Sequence, residues 1–337
     1  MIDNAFLSLL RKDGVFRSKS PGVFPLTGGV SSEIYRVDDD GRTFVVKRAL
    51  KKLKVKADWY ADVSRNRYEA AFLRYVGAFM RQSVPHLLGE GDGYFVMEFL
   101  NGFSDWKHLL LEKNFNPDHA RHAGILLGQI HHHSFADPIA ARQFDGTANF
   151  RELRVSPYLD YTAERHPDVS DTILEEAERL TRCRECLIHG DFSPKNILIA
   201  PNRMVLVDSE VAYYGDPAFD IGFLLCHLLL KGLYHAPEKT GPMVLAETFW
   251  TGYQNQRTPN GFSYAGLAHR VSRLLPMLLL ARVDGKSQVE YLDEERRAFV
   301  RTFALKHIKE KHDDLQSLIR LWFYQIDKLE YRENKIN

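Results

Sequence analysis

Cysteine is scarce, with three residues in a chain of 337. A disulfide-stapled secreted scaffold needs more of them. Cys183 and Cys186 form a Cys-x-x-Cys, but a structural zinc site takes about four ligands and no second pair completes it. A redox dithiol is the alternative reading, in a setting unlike that of thioredoxin. Long apolar runs are also lacking. The greasiest stretches, 219–230 and 274–281, are too short to cross a bilayer core of ~30 Å and read as buried helices, so no membrane partner is expected. The opening Met1-Ile-Asp-Asn-Ala-Phe has neither the basic start nor the apolar run of a secretory signal, which makes the cytoplasm the expected location. Neither sign of charge dominates, since 45 Lys and Arg face 44 Asp and Glu. That balance argues against a dedicated nucleic-acid binder, which presents a broad basic surface. Repeats, low-complexity tracts and Pro/Ser-rich linkers are missing as well.

What is present is an ordinary apolar content of 45%, enough for a sizeable core, in a length that suits two compact units. Strand patterns fall at 34–37, 43–48 and 94–99. A helix is expected over 66–80, where Ala70, Phe72, Leu73, Val76 and Phe79 recur at helical spacing. A long helix follows over 118–134, then several more, interrupted by short β-branched runs at 187–189, 197–200 and 204–207. The expected class is α+β, strand-rich in the first hundred residues and helical afterwards.

The chemistry concentrates in residues 187–222, LIHGDFSPKNILIAPNRMVLVDSEVAYYGDPAFDIG. An apolar strand ends at His189-Gly190-Asp191, Asn196 follows five residues later, and a short hairpin delivers Asp208. Phosphoryl transfer needs a carboxylate to orient or deprotonate a hydroxyl, and oxygen ligands to hold Mg2+ on nucleotide phosphates. Asp191 fits the first role, Asn196 and Asp208 the second. Glu210 is either a further metal ligand or a solvated carboxylate at a strand end. Asp220, before an apolar helix, reads as a helix-start or loop anchor.

The order HGDxxxxN, D-x-E and GDPxxD resembles the aminoglycoside-phosphotransferase and choline-kinase group, and the stretch from Asp208 to Gly215 is similar to the D-x-E-x-x-x-Y-G of methylthioribose kinases. The resemblance implies a two-lobed protein-kinase-like fold over nearly the whole chain. It implies a smaller nucleotide lobe, 1–100, and a larger catalytic and acceptor lobe, 101–337, with ATP and Mg2+ as cofactors. It also makes Asp220 the buttress of the catalytic loop. A kinase needs an upstream phosphate clamp. Gly28 and Gly29, with Ser31 and Ser32, form a Gly-containing turn whose backbone can approach phosphate, although the same turn also reads as an ordinary hairpin. Lys47 takes the place of the strand lysine that reaches the α/β-phosphates, and Glu69 is the helical carboxylate to pair with it. The backbone from Glu98 to Leu100 resembles the hinge that meets the adenine edge. The cluster of lysines between 51 and 56 reads as a solvated face. Consecutive His131, His132 and His133 point in different directions on a helix, so no metal site is expected there; the similar LGxLH segment makes His131 structural.

The acceptor is expected to be a small molecule with a hydroxyl: a sugar-like metabolite, an amino alcohol or an aminoglycoside. Arg282, Asp284 and Lys286, at the end of an apolar helix, are the candidates to touch it, with complementation of the helix dipole as the alternative role. A protein kinase fits less well, because Asp208-Ser209-Glu210 stands where DFG is expected. A catalytically silent nucleotide-binding module is the rival from another class. Nothing in the sequence fixes an oligomeric state.

Overall fold

The computed structural model describes residues 2–26, 32–50, 65–256 and 258–336. Unit 1 comprises Met1–Phe103 with Ala200–Val211, and unit 2 comprises Ser104–Ile199 with Ala212–Asn337. The division thus falls at Phe103, where the sequence places it at Leu100, and unit 1 also takes a segment from the middle of the chain.

Unit 1 runs through helix α1 (Asn4–Lys12), strands β1 (Gly22–Pro25), β2 (Ser32–Asp39) and β3 (Arg42–Ala49), helix α2 (Arg65–Phe79), and strands β4 (Leu87–Gly91) and β5 (Tyr94–Glu98). The strands make one antiparallel sheet in the order β1-β2-β3-β5-β4. Asp40 and Gly41 join β2 to β3 with φ of 50° and 74°, the two left-handed residues of a type I′ hairpin. Strand alternation then sorts the side chains. Tyr35, Val37, Phe44, Val46, Tyr94 and Val96 gather on one face with Phe6 and Leu10 of α1. The alternate positions Val45, Lys47, Phe95 and Met97 are buried on the other face, the one served by α2. The period that buries Val45 therefore carries a lysine inside with it.

The segment Ala200–Val211 is tied into unit 1 by Arg203. Its guanidinium closes on both oxygens of Glu98 at 2.6 and 2.9 Å and donates to the carbonyls of Gln82 and Val84.

Unit 2 is mostly helical, with helices Pro117–Ser134, Ala218–Tyr234, Thr240–Gln254 and Tyr264–Asp284 in its core. Ala218–Tyr234 is apolar on nearly every face, which suits full burial. Helices 117–134 and 240–254 approach closely at Gly124, where an added Cβ would lie 2.2 Å from the Phe249 carbonyl oxygen. Gly124→Ala is accordingly expected to destabilise the protein by about 1–3 kcal/mol, read as a lower urea midpoint. An unchanged midpoint would show that the two helices separate without cost.

Candidate active site

In unit 1 the Lys47 ammonium lies 2.7 Å from Glu69 Oε2 and 2.6 Å from Asp208 Oδ1. Asp208 follows strand Arg203–Leu206 with φ of 64°, a left-handed backbone uncommon outside glycine and of the kind retained at functional loops. Glu210, expected beside the metal, is drawn to Arg65, whose Nε donates to it over 3.0 Å. Arg65 opens α2 and is fully buried, so its charge needs that carboxylate. Burial works to lower the Lys47 pKa, but Asp208, Glu69 and Glu210 outweigh it and hold the amine above the ordinary lysine value. Burial raises the Glu69 carboxyl, helped by Asp208 and Glu210 and opposed by Lys47.

Among the other nucleotide candidates, Gly28, Gly29 and Ser31 lie outside the described residues, as does the lysine cluster at 51–56. Ser32 opens β2, buried, opposite Ala49. The side chain of Glu98 is occupied by Arg203, and its amide donates to the His86 carbonyl at 2.9 Å. The Glu98 amide is therefore already engaged within unit 1. Leu100 follows just beyond β5, half-buried.

In unit 2, strand Cys186–Ile188 pairs with Tyr213–Gly215 and ends in the His189-Gly190-Asp191 turn, where Gly190 has φ of 74°. Asp220, buried in the first turn of helix Ala218–Tyr234, accepts the amides of His189 at 2.7 Å and Gly190 at 2.9 Å. His131 Nε2 sits 3.3 Å from the same carboxylate, and its Nδ1 2.9 Å from the Tyr253 hydroxyl. These contacts match the anchoring roles that the sequence suggested for Asp220 and His131.

The loop so fixed presents Asp191. Its Oδ2 receives Asn196 Nδ2 at 2.8 Å, Lys195 Nζ at 3.0 Å and Arg154 Nη2 at 3.1 Å. Asn196 Nδ2 also donates to the Asp191 carbonyl at 3.0 Å, which fixes the carboxamide with its nitrogen towards Asp191. Arg154 reaches the loop from Arg151–Asp160, a wide π-helical segment, and its Nε donates to the Gly190 carbonyl. Asp191 and Lys195 also line a cavity of about 210 Å³ within unit 2.

Residues 23–267 match the model of the Phosphotransferase enzyme family. The chain belongs to that family. A methylthioribose kinase of Bacillus cereus (strain AH820) is 25% identical over 261 residues, covering 68% of this chain and 66% of that protein. The chain thus spans just under two thirds of that relative's length. Among solved structures, an amicoumacin kinase in complex with AMP-PNP, Ca2+ and Ami superposes with a TM-score of 0.60 at 15% identity, over 93% of this chain and 95% of that one. A Plasmodium vivax ethanolamine kinase gives 0.56 at 13% identity, over 90% and 86%. The α+β, kinase-like fold expected from the motifs is therefore the fold of this chain. No described helix is long and apolar enough to cross a membrane.

Of the three acceptor candidates only Arg282 lines the unit 2 cavity. Asp284 sits two residues on, about 200° around the helix, and is held by Arg301 at 2.8 Å and His166 at 2.8 Å. Lys286 lies past the helix end, 5.4 Å from the Tyr161 ring. The sequence reading missed Arg154, Lys195, Lys107 and Lys231. Lys195 was visible, four residues after Asp191 inside the motif. Lys231 was too, as the one charge late in an apolar run.

Proposed function

We propose that this family member is an ATP- and Mg2+-dependent kinase that phosphorylates a hydroxyl of a small molecule. The observation that carries the reading is the bond from Asn196 to Asp191 on a loop anchored by Asp220. It leaves a nearly buried carboxylate at a cavity of metabolite size, the arrangement needed to align a hydroxyl and take its proton. In the reaction the hydroxyl oxygen bonds to the γ-phosphorus, the bond to the bridging oxygen of ADP breaks, and the proton passes to Asp191. Lys47, kept extended by Glu69, supplies positive charge for the phosphates, and the backbone from Glu98 to Leu100 meets the adenine. Asn196 and Asp208 are hard oxygen donors of the kind that suit Mg2+, with Glu210 committed to Arg65. When bound, Mg2+ neutralises phosphate charge. The relatives named above, a methylthioribose kinase, an amicoumacin kinase and an ethanolamine kinase, support a small hydroxyl acceptor.

Lys47→Met is expected to lower kcat/KM for ATP by about 10²-fold, measured by coupled ATP consumption, because one preorganised cation leaves the phosphate site. Unchanged kinetics would remove Lys47 from the nucleotide site. A silent module is the competing reading. It gains the advantage if MgATP binds to the intact protein yet no hydroxyl compound stimulates its consumption.

A further inference from the structure

The charge lining the unit 2 cavity is lopsided. Lys107, Lys195, Lys231 and Arg282 are cationic, whereas Asp191 and Glu290 are the carboxylates. Each carboxylate already has a lysine of its own. Lys195 Nζ lies 3.0 Å from Asp191, and Lys107 Nζ lies 2.8 Å from Glu290. Lys231 and Arg282 are left with no carboxylate among the described residues.

Both are deep. Lys231 is 1% exposed in helix Ala218–Tyr234, and among the described residues its ammonium has no hydrogen-bond partner and faces the Tyr291 ring at 5.0 Å. Arg282 is 9% exposed on helix Tyr264–Asp284. Its Nη1 donates to neutral groups, the Tyr158 hydroxyl at 3.1 Å and Ser287 Oγ at 2.8 Å, while its Nε is unsatisfied. A buried cation is retained at high desolvation cost unless a counter-charge arrives. Burial, with Lys107 and Arg282 adding and Glu290 opposing, pushes the Lys231 amine down to about 7, so at neutral pH it is fully charged only when a negative charge lies beside it. Burial also pushes His227, on the same wall, well below the ordinary histidine value, so it supplies no charge of either sign.

We infer that the acceptor is anionic: a small hydroxyl compound bearing a carboxylate or a phosphate that rests on Lys231 and Arg282 while its hydroxyl meets Asp191. The inference rests on the kinase reading for the fate of the hydroxyl, but not for the anion site itself. A polycationic antibiotic or a quaternary amino alcohol is repelled by the same pair. The cavity, at about 210 Å³, is also below the ~300–1,000 Å³ usual for drug-sized ligands.

The test uses the full chain and two probes, inorganic phosphate and glycerate, titrated calorimetrically into wild type and Lys231→Met. ATP consumption with Mg2+ is then followed with glycerate, glycerol 3-phosphate, glycerol, ethanolamine and kanamycin. At least one anion is expected to bind the wild type and to bind the variant about tenfold more weakly or worse. An anionic compound is expected to outperform glycerol by a similar factor, and glycerate against glycerol 3-phosphate separates carboxylate from phosphate. Methionine replaces the buried cation by an apolar chain of similar length, so the variant is expected to melt no lower than wild type. Arg282→Gln gives a second variant with the same expected loss. Equal anion binding by all three proteins, no anion binding at all, or turnover only of neutral or cationic compounds overturns the inference. Anion binding that is lost in the variants, without turnover of any compound, upholds the anion site and sinks the kinase reading instead.

Discussion

Asp191→Ala is expected to lower kcat by about 10²–10⁴-fold, the usual worth of a positioned general base. Nucleotide binding is expected to survive, because the contacts that organise Lys47, Glu69 and Asp208 are made within unit 1 and do not involve Asp191. The two effects are separable in practice: ATP consumption reports the first, and the thermal shift on adding MgATP reports the second. The variant also removes the acceptor for Asn196, Lys195 and Arg154, so those three groups lose their common partner. Asp191→Asn tests whether charge or shape is the issue. It keeps an oxygen for the hydroxyl but takes up no proton at neutral pH, so its kcat should stay close to that of the alanine variant. If both variants turn over at the wild-type rate, the proton goes elsewhere and Asp191 is a structural member of its loop.

The parts of the site that were legible in the sequence share a property: each is fixed by short-range rules. Alternation along β3 buries Lys47 and points it at the α2 face. Helical spacing puts Glu69 on the side of α2 that also buries Phe72, Leu73 and Val76. Asp191 and Asn196 lie on one loop, five residues apart, so chain connectivity alone keeps them together. The unit 2 cavity is different in kind. Lys107, Lys195, Lys231 and Arg282 come from four separate segments, and no local pattern says that they converge. Composition is no help either, because a net charge of +1 averages away a cationic pocket that matters only where it is concentrated. That Asp284 does not line the cavity with Arg282 has a simple cause: positions two apart on a helix are about 200° apart, so they serve opposite faces. For Glu210 the sequence left two readings open and offered no sign of its partner, because the burial of Arg65 beside it belongs to the fold and not to any local pattern. Lys231 carried the one available warning. A helix that is apolar all round belongs to the core, and a lone lysine in such a helix needs a reason to be there.

Asp220→Ala is expected to be the most destabilising single change in unit 2, by about 3–5 kcal/mol. The side chain is fully buried and accepts two backbone amides, from His189 and Gly190, besides facing His131. Alanine leaves both amides without an acceptor, and each buried unsatisfied donor costs about 1–3 kcal/mol. His131 retains only its Tyr253 contact. The damage lands on the turn that immediately precedes Asp191, so the loss of kcat should accompany the loss of stability. Hydrogen exchange separates local from global effects: the His189 and Gly190 amides should exchange faster even under conditions where the variant is fully folded. Asp220→Asn preserves one accepting oxygen but turns an NH2 group towards the second amide, so it should fall between wild type and alanine in both respects. Should the two amides stay protected in the folded alanine variant, the anchor must be the strand pairing of Cys186–Ile188 with Tyr213–Gly215, and Asp220 would be only one buried carboxylate among several.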